Sequence, residues 1–375
     1  MLKIPINNAG ETPEIYTGDS VFEELKRWLF SHSSEIDSIF VLTDKNTRSC
    51  CLDKLTNFIP LLQAAEILQI EPGEKSKSLS TAEYLWKELS AKGATRRSLM
   101  INLGGGVVTD LGGFVASTYN RGIPFIHIPT SLMGMVDAAI GGKTGINLGN
   151  IKNQIGTFHQ PEAIFISTTF LSTLPYYELR NGIAEVIKIA LISDILLWGK
   201  LKLLRVLDFL LVFEDESMWS ELINTAVWDK SAIVIRDFKE KEHREILNFG
   251  HTIGHAFESL SLSLLGKHPS HGHAIALGMI CESFISVIKS GLDIGDRDSI
   301  IEIVLTHFKY FPLQDKDVDL MMNFMAYDKK RRNSGLRLSL LKSPGNAVPG
   351  IICTPEEILE SINFYRSLGE ESEES

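Results

Sequence analysis

Apolar runs alternate with helical patterns through the first half of the chain. The segments 38–44 (SIFVLTD) and 98–106 (SLMINLGGG) have the length and apolar content of buried strands, and the second runs into a glycine turn. The segments 78–93 (SLSTAEYLWKELSAKG) and 107–122 (VVTDLGGFVASTYNRG) instead space their apolar residues as a helix does. Two further strands are predicted at 124–131 and 163–167. This alternation predicts an α/β domain with a mostly parallel sheet.

The pattern changes after about Thr169, and strand signals almost vanish until 336–342 (LRLSLLK). Four segments between these points have helical patterns: 176–194, 220–238, 250–265 and 271–290. We therefore predict an α/β domain over residues 1–169, followed by an all-α domain over residues 170–375. Because no repeat or low-complexity linker separates them, we expect the domains to pack tightly around a cleft, a common place for a ligand.

Composition narrows the classes of partner. The chain has 375 residues and a formal net charge of −10, which disfavours binding to nucleic acid or to an anionic membrane surface. Its four cysteines, at positions 50, 51, 281 and 353, fit neither a zinc clamp nor a disulfide framework. We expect reduced thiols and a cytoplasmic protein, and the first residues lack the apolar core of a signal peptide.

One stretch is apolar enough to resemble a membrane span. Residues 195–213 (ILLWGKLKLLRVLDFLLVF) are rich in leucine, but Lys200, Lys202, Arg205 and Asp208 interrupt them. Charges at this spacing are costly in a bilayer. We predict a helix that packs against the rest of the protein or against a partner subunit.

Two glycine-rich segments are candidates for anion binding. Residues 102–110 (NLGGGVVTD) join a strand to a helix, where backbone N–H groups and the helix dipole attract an anion. Thr109 stands where the dinucleotide motif requires its last glycine, so a purely structural turn is an equal alternative. Residues 135–161 (MVDAAIGGKTGINLGNIKNQIGTFHQP) place charged and amide side chains among turn residues. They are typical of a functional loop, with a solvated surface loop as the alternative.

The histidines indicate a metal site. His251 and His255 are four residues apart in a helical pattern, so they lie on one face of a helix. Three more histidines follow about a helix length downstream: His268, His271 and His273. Glu185 is an acid between apolar neighbours, where a plain core would not accommodate a charge. Two imidazoles and one carboxylate are typical of catalytic zinc, whereas Thr252 excludes the H-E-x-x-H protease motif. A lone histidine would more often be a satisfied core residue.

Basic residues crowd around the same motifs. Eight of them lie within or beside the glycine turns, the histidines or the lone acid: Arg121, Lys143, Lys152, Lys188, Lys230, Arg244, Lys329 and Lys330. Any one of them alone would be read as a solvated side chain. Eight in a net-acidic chain favour an anionic small molecule that carries a phosphate or a carboxylate.

Ordered motifs indicate a family. The chain contains, in the order found in the 3-dehydroquinate synthase family, PGEKSK, GGGVVTDLGGFVAS, YNRG, PTSLMGMVDAAIGGKTGIN, KNQIGTFHQP, TLP, GIAEVIK, LNFGHTIGHAFE, HGHAIALGM and DKK. From about residue 40 to 345 it resembles this family of sugar phosphate cyclases, whose fold is related to glycerol dehydrogenase and iron-type alcohol dehydrogenases. The resemblance implies a dehydroquinate synthase-like fold with a dinucleotide-binding domain followed by a helical domain for metal and substrate.

The resemblance also implies roles for particular residues. The ligands of zinc, or of cobalt, would be Glu185, His251 and His271, whereas His255 would act near the substrate. Contacts to NAD are implied at Asp44, Glu74, Lys77, Gly105, Gly106, Val107, Asp110, Thr130, Ser131, Lys143, Lys152, Phe170 and Thr173. Substrate contacts are implied at Asp137, Lys143, Lys152, Asn153, Lys188, Lys230, Arg244, Asn248, Lys329 and Lys330. Arg121 would reach the site of a neighbouring subunit, so we expect a homodimer.

The implied reaction converts 3-deoxy-D-arabino-heptulosonate 7-phosphate, a phosphorylated sugar acid, to 3-dehydroquinate and phosphate. NAD would oxidise the C5 alcohol transiently, phosphate would leave by β-elimination, and reduction and an intramolecular aldol reaction would close the carbocycle. This is a step of the shikimate pathway to aromatic amino acids. His273 stands where glutamate is common in the family, and it would either compete for the metal or be a bystander.

Three alternatives stay open. The alternative functions are another sugar phosphate cyclase, a metal-dependent polyol dehydrogenase that releases NADH, and an inactive metal-binding scaffold. The dense basic cluster argues against the dehydrogenase, because a polyol carries no charge.

Overall fold

The computed structural model describes residues 2–4, 13–149, 151–204, 216–260, 269–332 and 336–373, without the side chains of 2–4, 216, 327–332 and 370–373. His268, the end of the helical pattern at 250–265, and residues 205–213 of the apolar stretch therefore lie outside the described residues.

Eleven strands are present in the described ranges. They are β1 Leu2–Ile4, β2 Glu14–Thr17, β3 Ser38–Asp44, β4 Glu66–Ile70, β5 Ser98–Gly104, β6 Phe125–Pro129, β7 Lys143–Leu148, β8 Ile151–Phe158, β9 Ala163–Ile166, β10 Leu336–Ser343 and β11 Asn346–Cys353.

Eleven helices of nine or more residues are present in the same ranges. They are α1 Val21–Ser31, α2 Leu79–Ala91, α3 Gly106–Thr118, α4 Tyr176–Ser193, α5 Ile195–Leu204, α6 Glu216–Arg236, α7 His251–Ser259, α8 His271–Lys289, α9 Ile294–His307, α10 Asp315–Arg332 and α11 Pro355–Glu373. Short helical segments include Lys45–Thr47, Arg48–Leu52, Asp53–Phe58, Pro60–Ala64, Glu74–Ser76, Tyr119–Arg121, Gly134–Ala138, Thr168–Thr173 and His243–Asn248.

Contacts divide the chain into two compact units. The first is Met1–Leu179 with Glu216–Phe238, and the second is Arg180–Asp215 with Lys239–Ser375. Helix α6 thus groups with the α/β unit, which differs from a single division after residue 169. The helical pattern of α6 does not reveal this, because periodicity shows that a face is apolar but not which element it packs against. The expected cleft between the domains stays a prediction.

A seven-stranded sheet forms the core of the first unit. Its strand order is β1-β2-β9-β6-β5-β3-β4, and every pair from β2 to β4 is parallel, with β1 antiparallel at one edge. The predicted α/β architecture is confirmed. Every residue of β5 is buried, as expected for a central strand of a parallel sheet covered on both faces. The strand pattern predicted β3, β5, β6 and β9 but missed the short strands β2 and β4.

The glycine-rich segment 135–161 is not a loop throughout, which corrects the prediction. Strands β7 and β8 form an antiparallel hairpin within it. Gly145 and Gly156 are paired across this hairpin, and a Cβ atom on either would lie 2.7 or 2.2 Å from a backbone oxygen of the opposite strand. The residues that give the segment its turn-like composition are therefore the ones that let the two strands approach.

The second unit is helical, as predicted, and it also contains the antiparallel hairpin β10–β11. Helix α8 lies at its centre and packs against α7, α9, α11 and β10. Within the described part of the chain, α8 is the one helix long and apolar enough to cross a membrane, but most of it is buried inside the protein. Helix α5 buries Leu197, Trp198, Leu201 and Leu204, as expected for the packed helix predicted over its part of 195–213.

Candidate active site

The residues implied in NAD binding gather at one edge of the large sheet. Strands β3, β4, β5, β6 and β9 run parallel, so their carboxyl ends share this edge, which is where open α/β sheets bind ligands. The candidate residues on or just after these ends are Asp44, Glu74, Lys77, Gly105, Gly106, Val107, Asp110, Thr130, Ser131, Phe170 and Thr173. The fold therefore brings together a set that is scattered over 130 positions of sequence, counted from Asp44 to Thr173.

The glycine turn between β5 and α3 is tightly packed. A Cβ atom on Gly105 would lie 3.1 Å from the Ser131 hydroxyl, and one on Gly112 would lie 2.0 Å from the Asn102 side-chain oxygen. The first glycine lets the turn pass close to the next strand end, and the second lets α3 lie directly on β5. The amino terminus of α3 is thereby held at the ligand-binding edge, where its dipole favours an anion.

Lys77 is the centre of a polar network at this edge. Its side chain is 4% exposed, and its ammonium donates to Asp110 Oδ2 at 2.6 Å and to Asn153 Oδ1. Burial lowers the pKa of Lys77, but the charges of Asp110 and Glu74 outweigh burial and raise it overall. Lys77 is thus held as a cation between three of the predicted site residues.

Asn147 belongs to the same network and was missed from the sequence. Its side chain donates to Glu74 Oε1 and accepts from the N–H of Asn153, both at 2.8 Å, and its own N–H donates to the Lys77 carbonyl at 2.8 Å. Asn153 has a φ of +52°, which few residues other than glycine adopt. The only signal in the sequence was an amide within the glycine-rich segment.

The candidate substrate residues of the first unit lie on three elements. Lys230 on α6 is almost fully buried, and its ammonium donates to the Asp137 carbonyl at 2.7 Å and to the Asp137 carboxylate. Lys143 and Lys152 are exposed on the hairpin β7–β8. Arg121 is exposed with a φ of +70°, and its reach towards a second subunit stays a prediction.

The second unit brings together the three predicted metal ligands. Glu185 lies on α4, whereas His251 and His271 are the first residues of α7 and α8. The Nε2 atoms of both histidines lie 3.7 Å from Glu185 Oε1, and a ligand atom of each residue lies within 4.8 Å of the other two. The Lys188 ammonium contacts Glu185 Oε2, and both side chains are almost completely buried.

This donor set fits a zinc or cobalt ion. Ligands at 2.0–2.2 Å from a tetrahedral zinc are about 3.3–3.6 Å apart, close to the separations here. Burial and the neighbouring Lys188 lower the pKa of His251 to about 3, so its ring is neutral and able to coordinate. Burial alone would lower the pKa of His271, but the carboxylates of Glu185 and Glu258 raise it to about 9.

Glu258 is a second residue that the sequence analysis missed. Its Oε1 atom lies 2.8 Å from Nδ1 of His271, which leaves Nε2 directed at Glu185. A carboxylate on the far nitrogen of a metal-binding histidine fixes the tautomer and orientation of the ring. Its spacing of seven residues from His251 on a helix was the available signal.

The remaining histidines have distinct surroundings. The exposed ring of His255 has its centroid 5.6 Å from that of His251 and 6.2 Å from that of His271. His255 and His271 with Glu258 form a second group of possible ligands in the described ranges. His273 instead places Nε2 2.7 Å from the Lys309 carbonyl oxygen, which favours the bystander interpretation.

Two further substrate candidates lie in one segment of the second unit. Arg244 is 2% exposed within His243–Asn248, and Asn248 at the end of this segment donates to Glu240 Oε1 at 3.1 Å. Lys329 and Lys330 belong to helix α10, but their side chains lie outside the described part of the structure.

Solved structures with this fold include two sugar phosphate cyclases. The 2-epi-5-epi-valiolone synthase of Streptomyces hygroscopicus, determined with NAD+ and Zn2+ bound, matches 97% of this chain and 99% of its own at 25% identity and a TM-score of 0.80. A 2-deoxy-scyllo-inosose synthase complexed with carbaglucose-6-phosphate, NAD+ and Co2+ matches 98% of this chain and 99% of its own at 24% identity and a TM-score of 0.81. At this identity the second likeness shows the fold alone.

Sequence relatives are closer. A 3-dehydroquinate synthase of Parabacteroides distasonis is 40% identical over 337 residues, which cover 90% of this chain and 94% of the relative. One of Alkaliphilus metalliredigens is 35% identical over 380 aligned positions, covering 97% and 99%. Residues 67–181 match the family described as 3-dehydroquinate synthase N-terminal, and residues 182–331 match its C-terminal counterpart. The chain therefore belongs to the 3-dehydroquinate synthase family.

Proposed function

We propose that this chain is a 3-dehydroquinate synthase, a lyase that converts 3-deoxy-D-arabino-heptulosonate 7-phosphate to 3-dehydroquinate and phosphate with catalytic NAD and a divalent metal. The proposal rests above all on the cluster of the buried Glu185 with the partly exposed His251 and His271, in a chain whose relatives carry this name. The activity is a step of the shikimate pathway to aromatic amino acids.

The metal cluster supports the redox step. A bound zinc or cobalt ion would polarise the oxygen of the C5 alcohol, and bound NAD would take a hydride from its carbon and later return it. Glu185, His251 and His271 would hold the ion, and Glu258 orients the His271 ring through its Nδ1 atom. Lys188 offsets the charge of Glu185, so the buried carboxylate is stabilised before any ligand binds.

Proton transfers are assigned to His255. It lies one turn after His251 on α7 and is exposed, whereas the side chain of His251 is only 14% exposed. An exposed imidazole is accessible to a substrate, and histidine is the most frequent proton donor or acceptor in general acid–base catalysis. We infer that it assists proton movement around the carbon skeleton, while Glu185, His251 and His271 would hold the metal ion.

The basic residues fit the two charges of the substrate. Lys143, Lys152 and Arg244 carry positive charge and are candidates for the phosphate and carboxylate. The Asp137–Lys230 pair would fix hydroxyl groups, because an ion pair that is partly exposed presents a donor and an acceptor in one place. Preorganised groups of this kind stabilise developing charge without rearrangement.

We further propose a cytoplasmic homodimer. The four cysteines are free thiols, which agrees with a reducing compartment. Arg121, exposed and in a strained conformation, is the candidate for contact with the site of the second subunit.

The test is an assay of the purified protein with zinc, a trace of NAD+ and the heptulosonate phosphate. We expect phosphate release far in excess of the NAD+ added, with no accumulation of NADH, because the cofactor is regenerated in every turnover. NADH formed in proportion to product would instead identify a dehydrogenase. Turnover only with a different sugar phosphate would identify another cyclase, and the dehydroquinate assignment would fall.

A further inference from the structure

Glu282 is an acid in α8, a long apolar helix that is mostly buried inside the protein. It lies on α8, three turns after His271, and its side chain is completely buried. An ionisable group in such surroundings is costly unless polar partners compensate for the lost water. The position is outside every motif discussed above, so its burial requires its own explanation.

The partners of Glu282 are backbone groups at the start of α7. Its Oε2 atom accepts the N–H of Gly250 at 2.7 Å, and its Oε1 atom accepts the N–H of Ile253 at 3.2 Å. These two residues bracket His251, the first residue of the helix. The carboxyl group thus satisfies N–H groups that every helix leaves unpaired at its amino terminus.

Helix α7 has no cap of its own. Gly250 occupies the N-cap position with a φ of +78°, and a Cβ atom there would lie 2.5 Å from Met279 Cγ and 2.9 Å from the Ile275 carbonyl oxygen. The serine, threonine, aspartate or asparagine that usually caps a helix therefore does not fit. The capping acceptor has to come from another element.

Helix α8 is close enough to supply it. A Cβ atom on Gly278 would lie 2.0 Å from the Gly250 carbonyl oxygen and 2.6 Å from the Gly254 nitrogen, so the two backbones are in contact at this point. Glu282 is one turn further along α8, on the same face.

We propose that Glu282 is a positioning residue for the metal site: its buried carboxyl group caps α7 from α8 and thereby fixes His251 relative to His271. This inference rests on the proposed metal site. Helix α7 also carries His255 and Glu258, so one contact sets the orientation of the helix that provides most of the site. Glu282 does not touch the metal or the substrate itself.

The experiment measures metal affinity in four proteins prepared free of metal. Wild type, Glu282→Gln, Glu282→Asp and Ser283→Ala are titrated with Zn2+ against a chromophoric chelator, and their Co2+ forms are compared by visible absorption. Gln keeps the size but loses one acceptor, and Asp keeps the carboxyl group but shortens the reach. Ser283→Ala is the matched control, since this buried hydroxyl donates only within α8, to the Ile280 carbonyl at 2.8 Å.

We expect the Zn2+ dissociation constant of Glu282→Gln to rise about 10- to 100-fold, with a changed Co2+ spectrum and an intermediate value for Glu282→Asp. Ser283→Ala should match wild type. A Gln variant with lower thermal stability but wild-type zinc affinity and Co2+ spectrum would show a structural role alone and overturn the proposal. If the Glu282→Gln variant does not fold, the zinc affinity and Co2+ spectrum of Glu282→Asp test the proposal by the same criteria. Wild type without zinc affinity would instead overturn the metal site itself.

Discussion

At the residue scale, two histidines of one helix face have opposite surroundings. His251 and His255 are one turn apart, yet the first is desolvated beside Lys188 and has its pKa lowered to about 3, whereas the second is exposed. The spacing of the two histidines in the sequence predicted that both lie near one site. Their separate roles were implied only by the family resemblance. Solvent exposure distinguishes the two histidines, because the His251 ring packs against the buried Glu185 and is shielded from water there.

Substituting each of the two histidines separates these roles. His251→Ala should lose stoichiometric zinc and turnover together, because one of three ligands is removed. His255→Ala should keep its zinc while kcat falls about 10²- to 10⁴-fold, the range for loss of a proton-transfer group. Metal analysis and phosphate release measure the two effects. Full zinc occupancy in His251→Ala would refute the ligand assignment, and zinc loss in His255→Ala would exchange the two roles.

Asn147 offers a test of the network at the sheet edge. Asn147→Ala removes the side-chain hydrogen bonds to Glu74 and Asn153, and each such bond contributes about 1 kcal/mol. We expect NAD+ to bind about tenfold more weakly or worse in a calorimetric titration. Leu148→Ala, an exposed apolar change next to it, is the control. Equal NAD+ affinity in both variants would show that the network does not shape the cofactor site.

At the element scale, the sequence pattern predicts the helices themselves but not the contacts between them. The apolar periodicity predicted α7 and α8, but nothing in that pattern distinguishes the acid at position 282 from a surface residue. The close crossing at Gly250 and Gly278 is a property of two segments together. The same holds for the hairpin β7–β8, since paired glycines in a strand and glycines in a loop have the same composition.

The burial of Glu282 predicts a pH dependence of stability. Burial raises its pKa from 4.5 to about 8, although the N–H groups of α7 oppose this. Between these values the folded protein binds one more proton at this site than the unfolded chain does, so stability falls as pH rises through this window. The thiols of Cys281 and Cys353 interact electrostatically with Glu282, but their own pKa values are raised and they stay neutral there.

Urea unfolding of metal-free wild type and Glu282→Gln, from pH 5 to 8.5, measures this dependence. The stability of wild type relative to the variant should decrease as pH rises. One titrating group changes the ratio of the two unfolding constants by at most about tenfold per pH unit. Other groups, including His271, titrate in both proteins and cancel in the comparison. A difference that is constant with pH would mean that Glu282 does not titrate in this range.

At the scale of the whole molecule, each unit holds one part of the proposed chemistry. The first gathers the candidate NAD residues on a parallel sheet edge, and the second gathers the candidate metal ligands on three helices. The sites of the first unit depend on parallel pairing of strands distant in sequence. The expected dimer would add Arg121 from a second copy.

Mixing two inactive variants tests that expectation. Arg121→Ala lacks the contributed side chain, and His251→Ala lacks the metal. In a mixed dimer, the Arg121→Ala subunit keeps its metal ligands. Its site would receive Arg121 from the His251→Ala subunit. Random exchange should restore about a quarter of the sites, because half of the dimers are mixed and each has one complete site. Activity that does not exceed the sum of the separate proteins would place Arg121 in its own subunit's site or outside it.

Much of the fold follows from local pattern. The runs that became β3, β5, β6 and β9 are mostly buried, and such runs are visible in a sequence because most of their positions are apolar. Strands β2 and β4 are only four and five residues long and mix polar with apolar positions, so their signal is weak. The candidate ligands were identifiable because acids and paired histidines are unusual in apolar helices.

The sequence by itself determined the longer buried strands and the main helices, the change from an α/β to a helical pattern, and the family to which the chain belongs, because periodicity and ordered motifs are properties of the linear chain. Only the tertiary structure decided that α6 groups with the sheet, that 143–158 is a hairpin, and that Asn147, Glu258 and Glu282 contact candidate site residues or the backbone next to them. These outcomes depend on which segments meet, and that is decided by packing and by the pairing of buried polar groups.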